Sequence, residues 1–186
     1  MSQTNTTNMP NGVNVPQLMQ TIQAIQQDPT LAQFQFRARN RWLGGTHNRA
    51  IVKDFYGAGK EDDLRTDPYV MDCDEPPVLT GKDEGANPVE YLLAALSGCV
   101  TTTMAVHAAS RGIEIDSIEP KLEGDLDVRG FMGLSKDVPT GYQRIRITMK
   151  VKTDADAQKL KELAMFSPVY GTITRPTPVE IDIVKV

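Results

Sequence analysis

The sequence predicts an α+β fold with a mainly antiparallel sheet, and three observations favour this class. Residues 34–42 and 144–152 alternate apolar with polar side chains, the period of a strand with one covered face. Residues 87–112 carry few charges and are rich in Ala and Leu, as in a long buried helix. The predicted order is a hairpin, a strand, the long helix, two strands, a helix and a strand. Runs of strands separated by helices are typical of α+β proteins.

The long helix has clear signals at both ends. Asn87 is a good N-cap, Pro88 fits the first helical position, and Glu90 stands where a capping box requires it. Gly112 can end the helix in the left-handed conformation. A helix of about 24 residues is roughly 36 Å long. Because one antiparallel sheet cannot easily cover so apolar a helix, we expect a homodimer with a large apolar interface.

The residues before this helix predict an extension followed by three strands. Residues 1–15 are polar and expected to be mobile, and residues 16–27 have the apolar spacing of a short helix. We therefore expect a polar N-terminal extension over residues 1–31 and a single domain over residues 32–186. Residues 34–42 and 47–56 predict a hairpin that turns at Gly44-Gly45. Residues 57–67 predict a loop, residues 69–74 a short strand holding Cys73, and residues 75–86 a second loop.

After the long helix, the pattern predicts a strand region over residues 113–128, a loop over residues 130–139, and a strand over residues 144–152. Asp154 is expected to cap a helix over residues 155–166. Residues 167–174 fit either a helical turn or a capped loop. Val179, Ile181 and Ile183 predict a last strand.

Composition limits the function classes. The chain has 186 residues and a formal net charge of −4, which gives no electrostatic case for binding nucleic acid. No uninterrupted apolar run reaches the eighteen or so residues of a membrane span, and the N-terminus lacks a signal-peptide pattern. The two cysteines, Cys73 and Cys99, make neither a disulfide framework nor a zinc site. We expect a cytoplasmic protein that engages neither membrane nor nucleic acid and holds no metal or cofactor.

Cys99, near the middle of the long helix, is open to two interpretations. It can be a small buried apolar residue, as most free cysteines are. It can also be a reactive thiol, which requires a nearby group that stabilises the thiolate. The helix position does not supply that group, because dipole effects fade beyond the first turn.

The run Asn87-Pro-Val-Glu-Tyr-Leu-Leu-Ala-Ala-Leu-Ser-Gly-Cys99 resembles the NPxExLLxAxxxC helix of the OsmC/Ohr superfamily. Arg111-Gly112-Ile113 after it and Ser167-Pro168-Val169 further on support the resemblance, which covers roughly residues 32–186 and is nearest to the broad OsmC-like branch. It implies an intertwined homodimer with two long central helices wrapped by antiparallel sheets. The better-known members reduce organic hydroperoxides: a cysteine becomes a sulfenic acid, a second cysteine closes a disulfide, and a dithiol restores the site.

Carried over by position, the resemblance places Cys99 at the reactive site. Ser167 stands in place of the second cysteine and Val89 in place of the glutamate that polarises the thiol. Glu90 is adjacent to Val89, but it lies nine residues before Cys99, on the opposite side of the helix, and is expected to complete the capping box. Arg49 is the best candidate for the arginine that faces the thiolate, and it can equally be a solvated strand residue.

Two functional hypotheses follow. In the first, the protein is a thiol-dependent hydroperoxide reductase that uses Cys99, with Arg49 as thiolate partner and an external thiol as reductant. In the second, it is an inactive dimer that binds a small apolar ligand. Cys73 is the only other thiol, and its distance from Cys99 cannot be predicted. His107 lies about 12 Å along the helix from Cys99, too far to act directly as its base, and His47 cannot be placed.

Overall fold

The computed structural model describes residues 9–175 and 177–186. They form two compact units, one of Asn14–Leu92 and one that combines the segment ending at Val13 with Leu93–Val186. Strands pair antiparallel in every named sheet of the described chain, so the predicted α+β class is confirmed. The predicted boundary between residues 1–31 and 32–186 stays a prediction.

The Asn14–Leu92 unit begins with the predicted short helix. This helix, α1 (Val15–Gln27), is capped by Asn14, whose side chain accepts a hydrogen bond from the backbone N–H of Gln17 at 3.0 Å. Six strands follow: β1 (Gln35–Phe36), β2 (Arg39–Gly44), β3 (His47–Val52), β4 (Phe55–Gly57), β5 (Lys60–Asp62) and β6 (Tyr69–Cys73). They form two sheets, ordered β1-β4-β5 and β2-β3-β6.

The hairpin is confirmed, but its two strands are each broken. β2 and β3 meet at Gly44 and Gly45, whose φ angles of 119° and 58° are ones that side chains disfavour. The expected strand over residues 34–42 is divided into β1 and β2, and the one over residues 47–56 into β3 and β4, on different sheets. Residues 57–67, expected to be a loop, contain β5. Alternation reports which face a residue takes, but not where a chain changes its partner strand.

The predicted long helix is α2 (Pro88–Ala109), 22 residues long. It ends as expected at Gly112, which has a φ of 69°, while the N–H of Ile113 donates to the carbonyl of Ala108 at 3.0 Å. By length and hydropathy alone, α2 is the one helix among the described residues that could cross a membrane, a test that core helices also pass. The polar residues within α2 therefore do not, by composition alone, exclude a membrane-spanning helix.

The Leu93–Val186 unit packs α2 against a two-stranded sheet and further helices. These elements are β7 (Ser117–Asp125), α3 (Val128–Phe131), β8 (Arg144–Lys152), α4 (Ala157–Ala164) and α5 (Pro168–Thr174). β7 and β8 alternate exposed and part-buried residues along their whole length. Their part-buried apolar side chains cover a buried cluster on α2 and α4 made of Leu96, Val100, Met104, Leu160 and Ala164.

In the C-terminal third, two details differ from the expectations and one open alternative is decided. Asp156, not Asp154, caps α4, because its carboxylate accepts from the N–H of Lys159 at 3.0 Å. Of the two conformations open for residues 167–174, the chain adopts the helical one, α5. The predicted last strand is wrong: residues 177–186 form neither helix nor strand, and Val179, Ile181 and Ile183 are 80, 82 and 86% exposed. A strand needs a neighbouring strand to pair with, and none of the described residues pairs with this segment.

The segment before α1 is fixed rather than mobile where the structure describes it. The amide of Asn11 donates to the carbonyls of Ile113 and Ala105 at 3.0 and 3.3 Å, and its oxygen accepts from the N–H of Ile115 at 2.8 Å. The rest of the expected mobile stretch, residues 1–8, lies outside the described residues.

Candidate functional site

The start of α2 shows why Glu90 is a structural residue. The side chain of Asn87 accepts from the N–H of Val89 at 2.9 Å, and Glu90 accepts from the N–H of Asn87 at 2.9 Å. This reciprocal pair is the predicted capping box. Asn87 also donates to the carboxylate of Glu75 in the preceding loop. Glu90 is thereby committed to the helix start.

Cys99 lies beside the buried stripe of α2 rather than within it. The buried side chains follow every fourth residue at Leu96, Val100, Met104 and Ala108, whereas Cys99 is partly exposed and forms no disulfide. Whether Cys99 is a buried apolar residue or a reactive thiol in the assembled protein stays open. A thiol must be reachable to react, and in the single chain Cys99 is neither buried nor fully exposed.

Ser167, which stands in place of a second cysteine, has a structural task. It is buried, and its hydroxyl accepts from the N–H of Tyr170 at 3.1 Å, which makes it the N-cap of α5. A serine hydroxyl is a strong cap and cannot form a disulfide. The position thus stabilises a helix start and offers no second sulfur.

Cys73 is a poor nucleophile where it lies. It ends β6, is buried, and bridges in parallel to Ala86 of the loop before α2. Burial, reinforced by the nearby carboxylate of Asp72, raises the pKa of the Cys73 thiol. Cys73 therefore stays protonated at neutral pH.

Arg49, the candidate partner of the Cys99 thiolate, is held by a carboxylate of its own unit. Its Nε and Nη2 donate to Oδ1 and Oδ2 of Asp72 at 2.7 and 3.1 Å, a bidentate pair across β3 and β6. This hydrogen bonding lowers the pKa of Asp72 and raises that of Arg49. Cys99 belongs to the other unit, so the pairing of Arg49 with Cys99 stays a prediction.

His47 extends this ion pair into a cluster that the sequence does not reveal. Its Nε2 lies 3.2 Å from Oδ1 of Asp72, and its Nδ1 lies 3.0 Å from Oε2 of Glu84. The imidazole thus links β6 to the loop before α2. Only the two-residue alternation that puts His47 and Arg49 on one face of β3 signals this cluster, because Asp72 and Glu84 arrive from distant parts of the sequence.

The buried Asp74 also anchors the loop before α2. Its buried carboxylate accepts from the hydroxyl of Thr46 at 2.6 Å and from the N–H groups of Glu75, Lys82 and Glu84 at 2.8, 3.0 and 3.1 Å. The bond from Thr46 is the strongest of the causes that hold the pKa of Asp74 far below its usual range. Asp74, Thr46, Lys82 and Glu84 are among the residues that line a polar depression of about 370 Å³.

His107 is engaged by neighbours other than Cys99. Its ring stacks on Phe166 with centroids 4.6 Å apart, and its Nδ1 lies 3.1 Å from a guanidinium nitrogen of Arg111. Burial, together with the charge of Arg111, lowers the pKa of His107. Among the described residues no cluster of His, Cys, Asp and Glu could hold a metal ion.

Comparisons with known proteins agree with the helix motif. A model of the OsmC-like protein family matches residues 81–182, more than half of the chain. Comparison with curated protein sequences gives no match.

Solved structures share the fold. The chain is similar to a candidate osmotic stress induced and detoxification response protein from Psychrobacter arcticus 273-4, with 18% identity, a TM-score of 0.56, and coverage of 75% of this chain and 88% of that one. An OsmC like protein from Mycoplasma pneumoniae is 18% identical, with a TM-score of 0.56 and coverage of 75% of this chain and 87% of that one. An organic hydroperoxide resistance protein OsmC from Legionella pneumophila is 15% identical, with a TM-score of 0.50 and coverage of 76% of this chain and 90% of that one. With its helix motif, its α+β architecture and the family match over residues 81–182, this chain belongs to the OsmC-like protein family of the OsmC/Ohr superfamily.

Proposed function

We propose that the protein serves in the response to peroxide stress by reducing organic hydroperoxides with Cys99. The observation that carries this is Cys99, a free and partly exposed thiol on α2. It stands where the resemblance of this helix to the family motif puts the reactive cysteine. The similar protein from Legionella pneumophila is named for organic hydroperoxide resistance, which supports the same substrate class.

The reaction uses one protein sulfur. The Cys99 thiolate attacks the terminal peroxide oxygen, the O–O bond breaks, and the alkoxide leaves and takes a proton to become an alcohol. Cys99 is then a sulfenic acid. An external thiol attacks this sulfur and releases water, which leaves a mixed disulfide. A second external thiol restores Cys99 and leaves as part of a disulfide, so two thiols are oxidised for each peroxide reduced.

The reductant is external because neither candidate inside the described chain suits the role. Ser167 carries no sulfur and is engaged in capping α5. Cys73 is buried and its pKa is raised, so little of it is present as the attacking thiolate.

A second function, a dimer that binds a small apolar ligand without redox chemistry, is favoured by one observation. Arg49 already forms two hydrogen bonds with Asp72, so its charge is compensated before any thiolate is considered. With Val89 in place of the glutamate as well, neither residue would favour the Cys99 thiolate.

We further propose that the protein is a homodimer. α2 is apolar around its circumference, yet residues such as Leu92 remain 39% exposed in the single chain. Exposed apolar surface of this kind on a core helix is typical of an interface. Sedimentation equilibrium at several concentrations measures the assembly, and a monomer at 100 µM would exclude it.

Stopped-flow reduction of tert-butyl hydroperoxide, with dithiothreitol as reductant, tests the chemistry. We expect turnover by the native protein and by Cys73→Ser, and none by Cys99→Ser. Equal and negligible rates for the native protein and Cys99→Ser would refute the reductase proposal. The rate of Cys99 alkylation against pH then separates the two functions: a pKa well below 7 supports the enzyme, and one near the free-thiol value of about 8.5 supports the binding protein.

A further inference from the structure

We propose that His47 acts as a proton-controlled latch: its doubly protonated ring holds the side chain of Glu84 beside the β3-β6 pair, and loss of one proton releases that side chain. Both residues line the polar depression of about 370 Å³. The proposal rests neither on the peroxide chemistry nor on the dimer, because all its contacts lie within the Asn14–Leu92 unit.

Each ring nitrogen of His47 has a carboxylate oxygen within hydrogen-bond distance. Nε2 lies 3.2 Å from Oδ1 of Asp72, and Nδ1 lies 3.0 Å from Oε2 of Glu84. An ionised carboxylate only accepts hydrogen bonds, so both ring nitrogens must donate. A neutral imidazole has one N–H group, and only the imidazolium has two. The two contacts are therefore hydrogen bonds at the same time only when the ring is positively charged.

Other charged groups near the ring leave Glu84 dependent on His47. The charged groups that contact the ring, pair with its partners or line the depression with it are Arg49 of β3, Asp72 of β6, Asp74 directly after β6, and Lys82 and Glu84 of the loop before α2. β2 adds no charge opposite the ring, because Gly44 pairs with His47. Asp72 is compensated by Arg49. For Glu84, His47 is the only cation within ion-pair distance among the described residues.

Loss of one proton breaks the contact with Glu84 rather than the one with Asp72. Asp72 lies on a strand and is held beside the ring by two hydrogen bonds from Arg49. The side chain of Glu84 is 46% exposed, compared with 31% for Asp72, so it can turn to water. A ring nitrogen without its proton presents a lone pair to the carboxylate, which is an unfavourable contact. The neutral ring therefore keeps its proton on Nε2.

The proton controls the side chain of Glu84 and not the backbone of its loop. The N–H of Glu84 donates to the carboxylate of Asp74 at 3.1 Å. Hydrogen bonding holds the pKa of Asp74 far below its usual range, so this anchor persists when His47 titrates. A Cβ at Gly85 would lie 2.1 Å from the carbonyl oxygen of Asp72, which shows how closely the loop backbone approaches β6. Deprotonation therefore leaves a free carboxylate on the wall of an otherwise unchanged depression.

Nitrogen NMR of the histidine rings measures the protonation state directly. The chain has two histidines, His47 and His107, and His47→Gln assigns the signals by removing one set. The two ring nitrogens of an imidazolium have similar chemical shifts, whereas those of a neutral ring are widely separated and identify the tautomer. We expect His47 to carry two protons at pH 5.5 and one, on Nε2, at pH 8.5. A different state at either pH would overturn the proposal.

A double-mutant cycle measures whether the contact depends on the proton. His47→Gln and Glu84→Gln are made singly and together, and urea unfolding at fixed protein concentration gives their coupling. At pH 5.5, above the usual glutamate pKa of about 4.3 and below the usual histidine pKa of about 6.5, we expect a coupling of roughly two- to fivefold in the unfolding equilibrium constant. At pH 8.5 the coupling should vanish, because a contact that favours the protonated ring stabilises only below its titration.

The control cycle pairs His47→Gln with Asp83→Asn. Asp83 directly precedes Glu84, and its carboxylate has no hydrogen bond or ion pair with any described residue. Its φ of 61° is one that asparagine tolerates. We expect no coupling in this cycle at either pH. The proposal would be overturned by a His47–Glu84 coupling that is absent at pH 5.5, that is undiminished at pH 8.5, or that the Asp83 cycle matches.

Discussion

Replacement of Asn11 by alanine should destabilise the Leu93–Val186 unit although Asn11 lies outside the family match. The Asn11 side chain makes three hydrogen bonds to the end of α2 and the approach to β7, at 2.8, 3.0 and 3.3 Å. Each such bond contributes about 0.5–1.5 kcal/mol to the free energy of unfolding. Asn11 also has a φ of 56°, a left-handed conformation that costs alanine roughly 1 kcal/mol more.

Because Asn11 is only part-buried and its longest bond is weak, we expect Asn11→Ala to lower the free energy of unfolding by about 2–4 kcal/mol. Asn11→Gly loses the same three bonds but accepts the positive φ, so it should fall between alanine and the native protein. Urea unfolding followed by circular dichroism at fixed protein concentration measures all three, since dimerisation makes stability concentration-dependent.

The control is Gln23→Ala on the exposed side of α1, where a surface substitution should stay within about 0.5 kcal/mol. If Asn11→Ala is as stable as Gln23→Ala, the anchoring role of Asn11 is refuted. If Asn11→Gly has the same free energy of unfolding as the native protein, the three hydrogen bonds do not stabilise the fold. The loss in Asn11→Ala would then come from backbone strain alone.

Three further outcomes follow from the structure. Ser167→Ala should lower the free energy of unfolding by about 1 kcal/mol in urea titrations, because α5 loses its N-cap. Asp74→Asn should lower the urea midpoint of unfolding at pH 7. The hydrogen bonds that lower the pKa of Asp74 stabilise the fold above the unfolded pKa of about 3.9. The difference between the urea midpoints of the variant and the native protein should therefore become smaller from pH 5 to pH 2. A constant difference would contradict this. Iodoacetamide at pH 8 should modify Cys99 at least about tenfold faster than Cys73 in peptide mass spectrometry, because Cys73 is buried and its pKa is raised.

Local signals account for what the sequence predicts well. The start of α2 depends on Asn87, Pro88 and Glu90, which contact one another within one turn, so their roles follow from spacing. Gly112 ends the same helix for a reason equally local to the chain. The strand over residues 144–152 is predicted to its end residues, because its alternation is unbroken and one face is covered throughout.

Interactions between distant residues account for what the sequence misses. Asp74 receives bonds from a hairpin turn and from a loop up to ten residues later, and no spacing rule joins these groups. His47 cannot be placed without knowing that β3 lies beside β6. The C-terminal alternation predicts a strand that residues 177–186 do not form, because pairing depends on a neighbouring strand and nothing in the segment itself reports one.

Asp72 already holds the charge of Arg49 that the proposed pairing with Cys99 would use. A carboxylate 2.7 Å from the guanidinium competes with any thiolate for the same charge, and neutral asparagine at this position removes the competing charge while keeping the shape. If Arg49 stabilises the thiolate, Asp72→Asn should raise the rate of Cys99 alkylation at pH 6, and adding Arg49→Gln should cancel the gain. A Cys73→Ser background keeps the signal to one thiol. Were Cys99 reactivity unchanged by Asp72→Asn, Arg49 would be a structural arginine of the sheet, and the thiolate would need a different stabilising group.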